Sequence, residues 1–237
     1  MLKNIFKILA VFILGVGGGI FADQILWPYF VERPLFYQYR LEQSPIYLTE
    51  RKEIIIQENT ALKNAVEKVE KVVVGVRTET PGGEYIEGSG LVLTSDGLVV
   101  TLAELVPQGS DFSFFIGGEK VHFQILTRKE GFSLIKIGKD NLPTVSFASP
   151  EKLKLGERVF LIGVIFDEKN NPQEIVNEGI VKFFDKNFIK TNIFEKQTLT
   201  GSPLFDIEGN LLGINTIDKE GKVIAIPISK IRQSLNF

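Results

Sequence analysis

The stretch Gly88–Thr101, GSGLVLTSDGLVVT, decides the fold. Two runs of apolar residues flank Ser95-Asp96-Gly97, and an Asp-Gly turn between apolar runs is a strong signal of a β-hairpin. The stretch therefore predicts two antiparallel strands, Gly90–Thr94 and Leu98–Thr101, joined by a tight turn.

The same pattern of short apolar runs and turn residues fills the chain on both sides of this hairpin. About a dozen short strands at regular spacing predict an all-β barrel or sandwich. A short strand at Glu53–Gln57 and a helix capped at Asn59-Thr60 come first, and Ser229–Leu235 reads as a closing helix. The other predicted strands are Val72–Thr78, Phe112–Ile116, Val121–Thr127, Ser133–Ile137, Val159–Ile165, Ile175–Phe184, Phe188–Thr191, Leu204–Ile207, Leu211–Thr216 and Val223–Pro227.

Composition excludes several classes of function. The chain of 237 residues has no cysteine and one histidine, His122. Disulfides, iron–sulfur clusters and cysteine nucleophiles are therefore excluded, and no histidine–carboxylate spacing predicts a metal site or other cofactor. With 27 Lys+Arg against 29 Asp+Glu, the formal net charge is -2, which argues against a nucleic-acid binder.

The first residues predict a membrane element. Lys3 and Lys7 precede an apolar run, Ile8–Ala22, that Asp23 ends. A signal peptide cleaved after Ala22 is one interpretation, although Ile20 is not the small residue that such a site prefers. Because aromatic residues that favour the headgroup level follow the run, an uncleaved single-pass anchor over residues 1–27 is preferred.

The lysines precede the apolar run, so the positive-inside tendency places the N-terminus in the cytoplasm and the C-terminal domain outside the cell membrane. Residues 28–59, which contain Pro28, Pro34 and Pro45, are expected to be a membrane-proximal connector or stalk. The remaining residues, 60–237, are expected to form one β-rich domain.

Six segments occur in the order Ala65–Val76, Gly88–Thr101, Leu142–Gly163, Ile175–Val181, Gly201–Thr216 and Ile224–Pro227. Together they resemble the HtrA/Deg type of trypsin-like serine protease. The resemblance implies a chymotrypsin fold of two six-stranded β-barrels, split near residues 140–150, and it implies oligomers, often trimers. A peptide-binding PDZ module is not expected, because the sequence stops just after the Ile224–Pro227 strand.

The resemblance also implies where a Ser-His-Asp triad belongs, and all three positions are changed. Glu104 stands at the histidine in Thr101-Leu102-Ala103-Glu104, and Gly131 stands at the aspartate in GFSLIKI. Thr200 replaces the serine nucleophile in TLTGSPL, where Thr198 and Leu199 occupy the oxyanion region.

These replacements predict the loss of proteolysis. A general base should titrate near neutral pH, whereas an ordinary glutamate has a pKa of about 4.3. Glycine has no side chain to orient a base, and Thr198 replaces a glycine whose backbone N–H serves the oxyanion hole. The leading hypothesis is a pseudoprotease that binds an extended peptide or an envelope protein, or that associates with itself or with an active relative.

Two alternatives stay open. The first is an active serine-type or threonine-type endopeptidase with a rearranged site, acting in envelope protein quality control. This hypothesis requires Glu104 and Thr200 to meet across the cleft, or Ser202 to act as a shifted nucleophile. His122 lies in an apolar strand between the histidine and aspartate positions, so it is expected to be a strand residue without a catalytic role. A structural envelope protein is the third hypothesis.

Overall fold

The computed structural model describes residues 2–32 and 60–235 of the chain. The chain divides into two compact units, residues 1–57 and 58–237. The predicted strand at Glu53–Gln57 and most of the predicted connector lie outside the described residues.

The described part of the first unit, residues 2–32, is one long apolar helix. Helix α1 spans Leu2–Phe21 and continues as wider π-helical turns over Ala22–Glu32. The stretch Lys3–Trp27 has a mean hydropathy of 2.2, and it is long and apolar enough to cross a membrane, a property that signal sequences share. The helical backbone continues to Glu32, past the predicted boundary at residue 27.

The second unit contains thirteen strands, and each strand predicted between Val72 and Pro227 is confirmed. A helix, α2 (residues 60–69), comes before the first strand, and α3 (Ile228–Leu235) follows the last. The strands are β1 Val73–Glu79, β2 Tyr85–Val92, β3 Leu98–Leu102, β4 Asp111–Ile116, β5 Glu119–Val121, β6 Phe123–Lys129, β7 Phe132–Ile137, β8 Arg158–Phe166, β9 Pro172–Phe184, β10 Ile189–Phe194, β11 Pro203–Asp206, β12 Leu211–Ile217 and β13 Lys222–Pro227.

The first seven strands form a curled sheet, where a closed six-stranded barrel was predicted. Their order is β5-β4-β1-β2-β3-β7-β6, so the two outer strands follow each other in the chain with only His122 between them. The chain bends at this residue, so the predicted strand Val121–Thr127 starts later, as β6, and its first residue, Val121, ends β5. The curl brings Phe123 of β6 against Phe112 and Phe114 of β4, with ring centroids 6.3 and 4.7 Å apart.

The last six strands close into a barrel in the order β10-β13-β12-β11-β8-β9, which confirms the second predicted barrel. After Arg158, strand β8 is apolar, and both of its faces are buried from Val159 to Val164. Val159 and Leu161 point into the barrel core, whereas Phe160, Ile162 and Val164 belong to the core shared with the first sheet.

The two sheets pack closely where β1 meets β8. A Cβ added at Gly75 would lie 2.8 Å from Cγ1 of Val164, so only glycine fits there without a shift of its neighbour. The chain passes from the first sheet to the second between Ile137 and Arg158, a stretch that contains the predicted boundary near 140–150.

Candidate functional site

Three turns meet where the two sheets pack, and each carries one of the predicted triad positions. The turn after β3, Ala103–Leu105, donates its Ala103 N–H to the Gly131 carbonyl over 2.8 Å. Leu105 fills the space beside Gly201, the residue after Thr200. The fold therefore brings the segments of Glu104, Gly131 and Thr200 together.

The side chain of Glu104 does not hold its own turn in place. It is exposed, and it forms no hydrogen bond or ion pair with another residue in the described part of the chain. Leu105, which is 2% exposed, anchors the turn instead. The Thr78 hydroxyl also donates to the Leu105 carbonyl over 2.5 Å.

Gly131 serves the backbone of a tight turn between β6 and β7. Its φ is +84°, and Glu130 before it has a φ of 51°, so both residues of the turn are left-handed, a conformation that glycine adopts without strain. A Cβ at Gly131 would meet nothing within 4 Å. The position therefore supplies a carbonyl to Ala103 and no side chain toward Thr200.

The Thr200 hydroxyl faces an amide. Thr200 is 4% exposed, and its Oγ1 donates to Oε1 of Gln197 over 3.4 Å. The Gln197 side chain is fixed in turn, because its Nε2 donates to the carbonyls of Ile217 and Asp218 over 2.8 and 3.0 Å. His122 lies at the bend between β5 and β6, where its carbonyl accepts the Gly138 N–H.

The backbone around Thr198 and Leu199 forms a single 3₁₀ turn, Gln197–Leu199. The N–H of Leu199 donates to the Lys196 carbonyl, and the N–H of Thr200 donates to the Gln197 carbonyl, each over 3.0 Å. The Leu199 side chain is buried in the barrel core. An oxyanion hole needs N–H groups that converge on a substrate oxygen, and here the Thr200 N–H is engaged within its own segment.

Ser202 lies below the surface. It is fully buried, and Nδ2 of the buried Asn215 donates to its Oγ over 3.1 Å. The hydroxyl therefore contributes to the packing between Thr200 and β12, away from solvent.

The titratable groups with shifted pKa values lie on turns and in a side pocket. The Lys136 ammonium and the Thr94 hydroxyl, which donate to Asp96, hold the pKa of that carboxyl below its usual range. Partial desolvation and the nearby Glu70 raise the pKa of Glu174. In residues 2–32 and 60–235, no group of three or more potential metal ligands is present.

Sequence reasoning did not identify Ser89 and Gln197 as site residues. Ser89 lies in the Gly-Ser-Gly motif, which resembles the family pattern but does not indicate the hydrogen bonds that the serine makes. No sequence pattern indicates the role of Gln197, because its hydrogen-bond partners lie about 20 residues further along the chain.

Comparisons with known proteins agree with this architecture. Residues 88–214 match the family described as "Trypsin-like peptidase domain". "Serine protease HTRA1" of Xenopus tropicalis is 30% identical over 200 residues, which cover 73% of this chain and 42% of that protein. A protein of Halomonas elongata named "Probable periplasmic serine endoprotease DegP-like" is 27% identical over 140 residues, which cover 54% of this chain and 29% of that protein.

Solved structures show the same fold. The structure titled "HtrA-type protease AlgW with tripeptide" matches with a TM-score of 0.65 at 22% identity, over 74% of this chain and 62% of that chain. A serine endoprotease from Yersinia pestis matches with a TM-score of 0.65 at 21% identity, over 74% of this chain and 65% of that one. The chain spans between 29% and 42% of the length of the curated relatives quoted above. By its matched domain, its strand order and these relatives, the chain belongs to the HtrA/DegP-type family of trypsin-like serine proteases.

Proposed function

We propose that this protein is a membrane-anchored, extracytoplasmic pseudoprotease that binds extended peptide segments and does not cleave them. The observation that carries the proposal is the environment of Thr200. Its hydroxyl and its N–H both bond to Gln197, so neither the nucleophile position nor its amide is poised for a carbonyl substrate.

The other two triad positions support the same conclusion. A base must lie within hydrogen-bond reach of the nucleophile, and no hydrogen bond joins the Glu104 carboxylate to Thr200 in the described residues. Gly131 offers only a backbone carbonyl, and Ala103 already donates to it. In the template triad the three side chains act as one chain of hydrogen bonds, and none of its links is present here.

Peptide binding is the function that such a scaffold retains. A strand edge binds an extended peptide through backbone hydrogen bonds, and this interaction requires no catalytic side chain. One related structure is titled as an HtrA-type protease with a tripeptide. We extend that property to this chain as part of the proposal.

The proposed location of the trypsin-like domain, outside the cell membrane, is inferred from the N-terminal helix. The apolar helix has lysines at its N-terminal end, and one relative is named periplasmic. An anchor with the N-terminus in the cytoplasm places the trypsin-like domain outside the cell membrane. Protease added to spheroplasts, in which the plasma membrane is intact and directly accessible, is expected to digest the domain, and a domain digested only after that membrane is lysed would contradict this orientation.

Activity is tested with the full-length protein in lipid nanodiscs. Incubated with fluorescein-labelled β-casein and a fluorophosphonate probe, it is expected to bind casein without hydrolysing it and to remain unlabelled. Thr200→Ala and Ser202→Ala are the matched variants. Hydrolysis or labelling that either variant abolishes would establish an active endopeptidase and overturn the proposal.

A further inference from the structure

Strand β12 has an open edge next to Thr200. Its pairing with β11 reaches no further than Ile214, which lies opposite Pro203. Beyond it, the Asn215 N–H donates to the Ser202 carbonyl and the Asn215 carbonyl accepts the Gly201 N–H, each over 2.8 Å. Residues two apart in a strand present their backbone groups to the same side. The Ile217 carbonyl therefore faces this edge.

The Gln197 side chain occupies that edge. Its Nε2 donates to the carbonyls of Ile217 and Asp218, and its Oε1 accepts the Thr200 hydroxyl. A carboxamide carries the same N–H donor and C=O acceptor as a peptide group. The side chain therefore takes the hydrogen-bond positions that the backbone of an added peptide strand would use.

The hydrogen bonds between the Gln197 side chain and the β12 edge can break and re-form. Gln197 is exposed, so water competes for its hydrogen bonds, and the bond from Thr200 is long at 3.4 Å. The backbone is held independently of the side chain, because the Gln197–Leu199 turn is fixed by its own hydrogen bonds and by the buried Leu199. The side chain can thus rotate away while the turn stays in place.

We propose that Gln197 is an intramolecular cap on the β12 edge, which closes the peptide site until an extended peptide displaces the side chain. The inference rests on the proposed peptide-binding function and adds to it a closed resting state. The ligand class follows from the position that the cap fills at the end of β12: an extended backbone, recognised through an N–H that donates to the Ile217 carbonyl.

The test measures the affinity of the full-length protein in nanodiscs for fluorescein-labelled β-casein by fluorescence anisotropy. Gln197→Ala removes the cap, and we expect it to bind at least roughly threefold more tightly than the wild type, because the hydrogen bonds of the Gln197 side chain no longer compete with the peptide. Gln233→Ala, at an exposed position of α3, is the matched control and is expected to leave the affinity unchanged.

The outcomes separate the two proposals. Equal casein affinity in the wild type and Gln197→Ala overturns the cap and leaves peptide binding standing, whereas no binding by either protein overturns peptide binding and the cap with it. A second measurement does not depend on the variant's fold. The NMR signals of the Gln197 side-chain amide in the wild type are expected to shift when casein binds, and signals that stay fixed while casein binds would overturn the cap.

Discussion

The backbone N–H of Ser89 donates a 2.9 Å hydrogen bond to the carbonyl of Thr200. Two further bonds converge on Ser89: its Oγ accepts the Val164 N–H over 2.8 Å, and its carbonyl accepts the Thr101 hydroxyl over 2.6 Å. One fully buried residue of β2 thus joins the nucleophile segment, the long strand β8 and the strand before Glu104. These three bonds contribute to the contact between the two sheets, and none of them involves an imidazole.

Substitution of Ser89 is therefore expected to weaken the contact between the two sheets. Ser89→Ala leaves the buried Val164 N–H without an acceptor, and a buried donor left unpaired costs about 1–3 kcal/mol of the free energy of unfolding. Chemical denaturation measures the change. Ser95→Ala, at an exposed turn position, is the control, and equal midpoints for the two variants would show that the Ser89 hydroxyl stabilises nothing.

The turn that carries Glu104 is expected to depend on Leu105. Leu105→Ala removes a buried side chain packed beside Gly88 and Gly201, and such a truncation costs about 2–5 kcal/mol. Glu104→Ala removes an exposed carboxylate without a described partner, so it is expected to change the free energy of unfolding by less than about 0.5 kcal/mol. If Glu104→Ala lowered the free energy of unfolding as much as Leu105→Ala, the conclusion that Leu105 anchors this turn would be wrong.

Most of the fold was predictable because apolar periodicity and turn residues report directly on strands. The Asp96-Gly97 turn predicted the β2–β3 hairpin, and continuous apolar residues predicted β8. Strand β5 escaped prediction because its three residues, Glu119–Val121, are too few to form a pattern. The bend at His122 could not be predicted from the sequence either, because it depends on how the sheet curls.

The site was predictable only in part. Motif order locates Glu104, Gly131 and Thr200 in the chain, and the fold brings their segments together. The partner of the Thr200 hydroxyl could not be read from the sequence, because Gln197 is positioned by carbonyls about 20 residues further along. Contacts between turns depend on the three-dimensional path of the backbone, which no local spacing encodes.

Acid is expected to remove the stabilisation that the Asp96 carboxylate gives to the β2–β3 turn. Because hydrogen bonds from Lys136 and Thr94 hold the pKa of Asp96 below its usual range, the charged carboxylate stabilises the folded state at neutral pH, and this stabilisation is lost as the pH falls through the lowered pKa. Asp96→Asn is expected to be less stable than the wild type at pH 7, with the difference shrinking below about pH 4.

Thermal unfolding between pH 2 and pH 7 measures this difference. Asp140→Asn, at an exposed carboxylate just after β7, is the matched control and is expected to follow the wild type across the whole range. A constant difference between Asp96→Asn and the wild type at every pH would mean that the Lys136–Asp96 ion pair, at 2.6 Å, does not act through the charge of the carboxylate.

Restoring the three side chains is expected not to restore proteolysis. The variant Glu104→His, Gly131→Asp, Thr200→Ser supplies an imidazole, a carboxylate and a serine hydroxyl, but the N–H of residue 200 still donates to the Gln197 carbonyl. A transition state with a developing oxyanion then lacks that donor, and one missing donor of this kind costs about 10²–10³ in kcat. Position 131 also has a φ of +84°, a left-handed backbone that strains residues other than glycine.

Fluorophosphonate labelling of the full-length triple variant, with trypsin as the positive control, measures this expectation. Because the turn and the strained position 131 both oppose the triad geometry, labelling should stay at the level of the wild type. Adding Gln197→Gly to the triple variant frees the turn to change conformation, so labelling that appears only in this fourfold variant would identify the turn as the remaining block. Labelling of the triple variant itself would show that the missing side chains alone account for the loss of activity, and that the 3₁₀ turn opens without assistance.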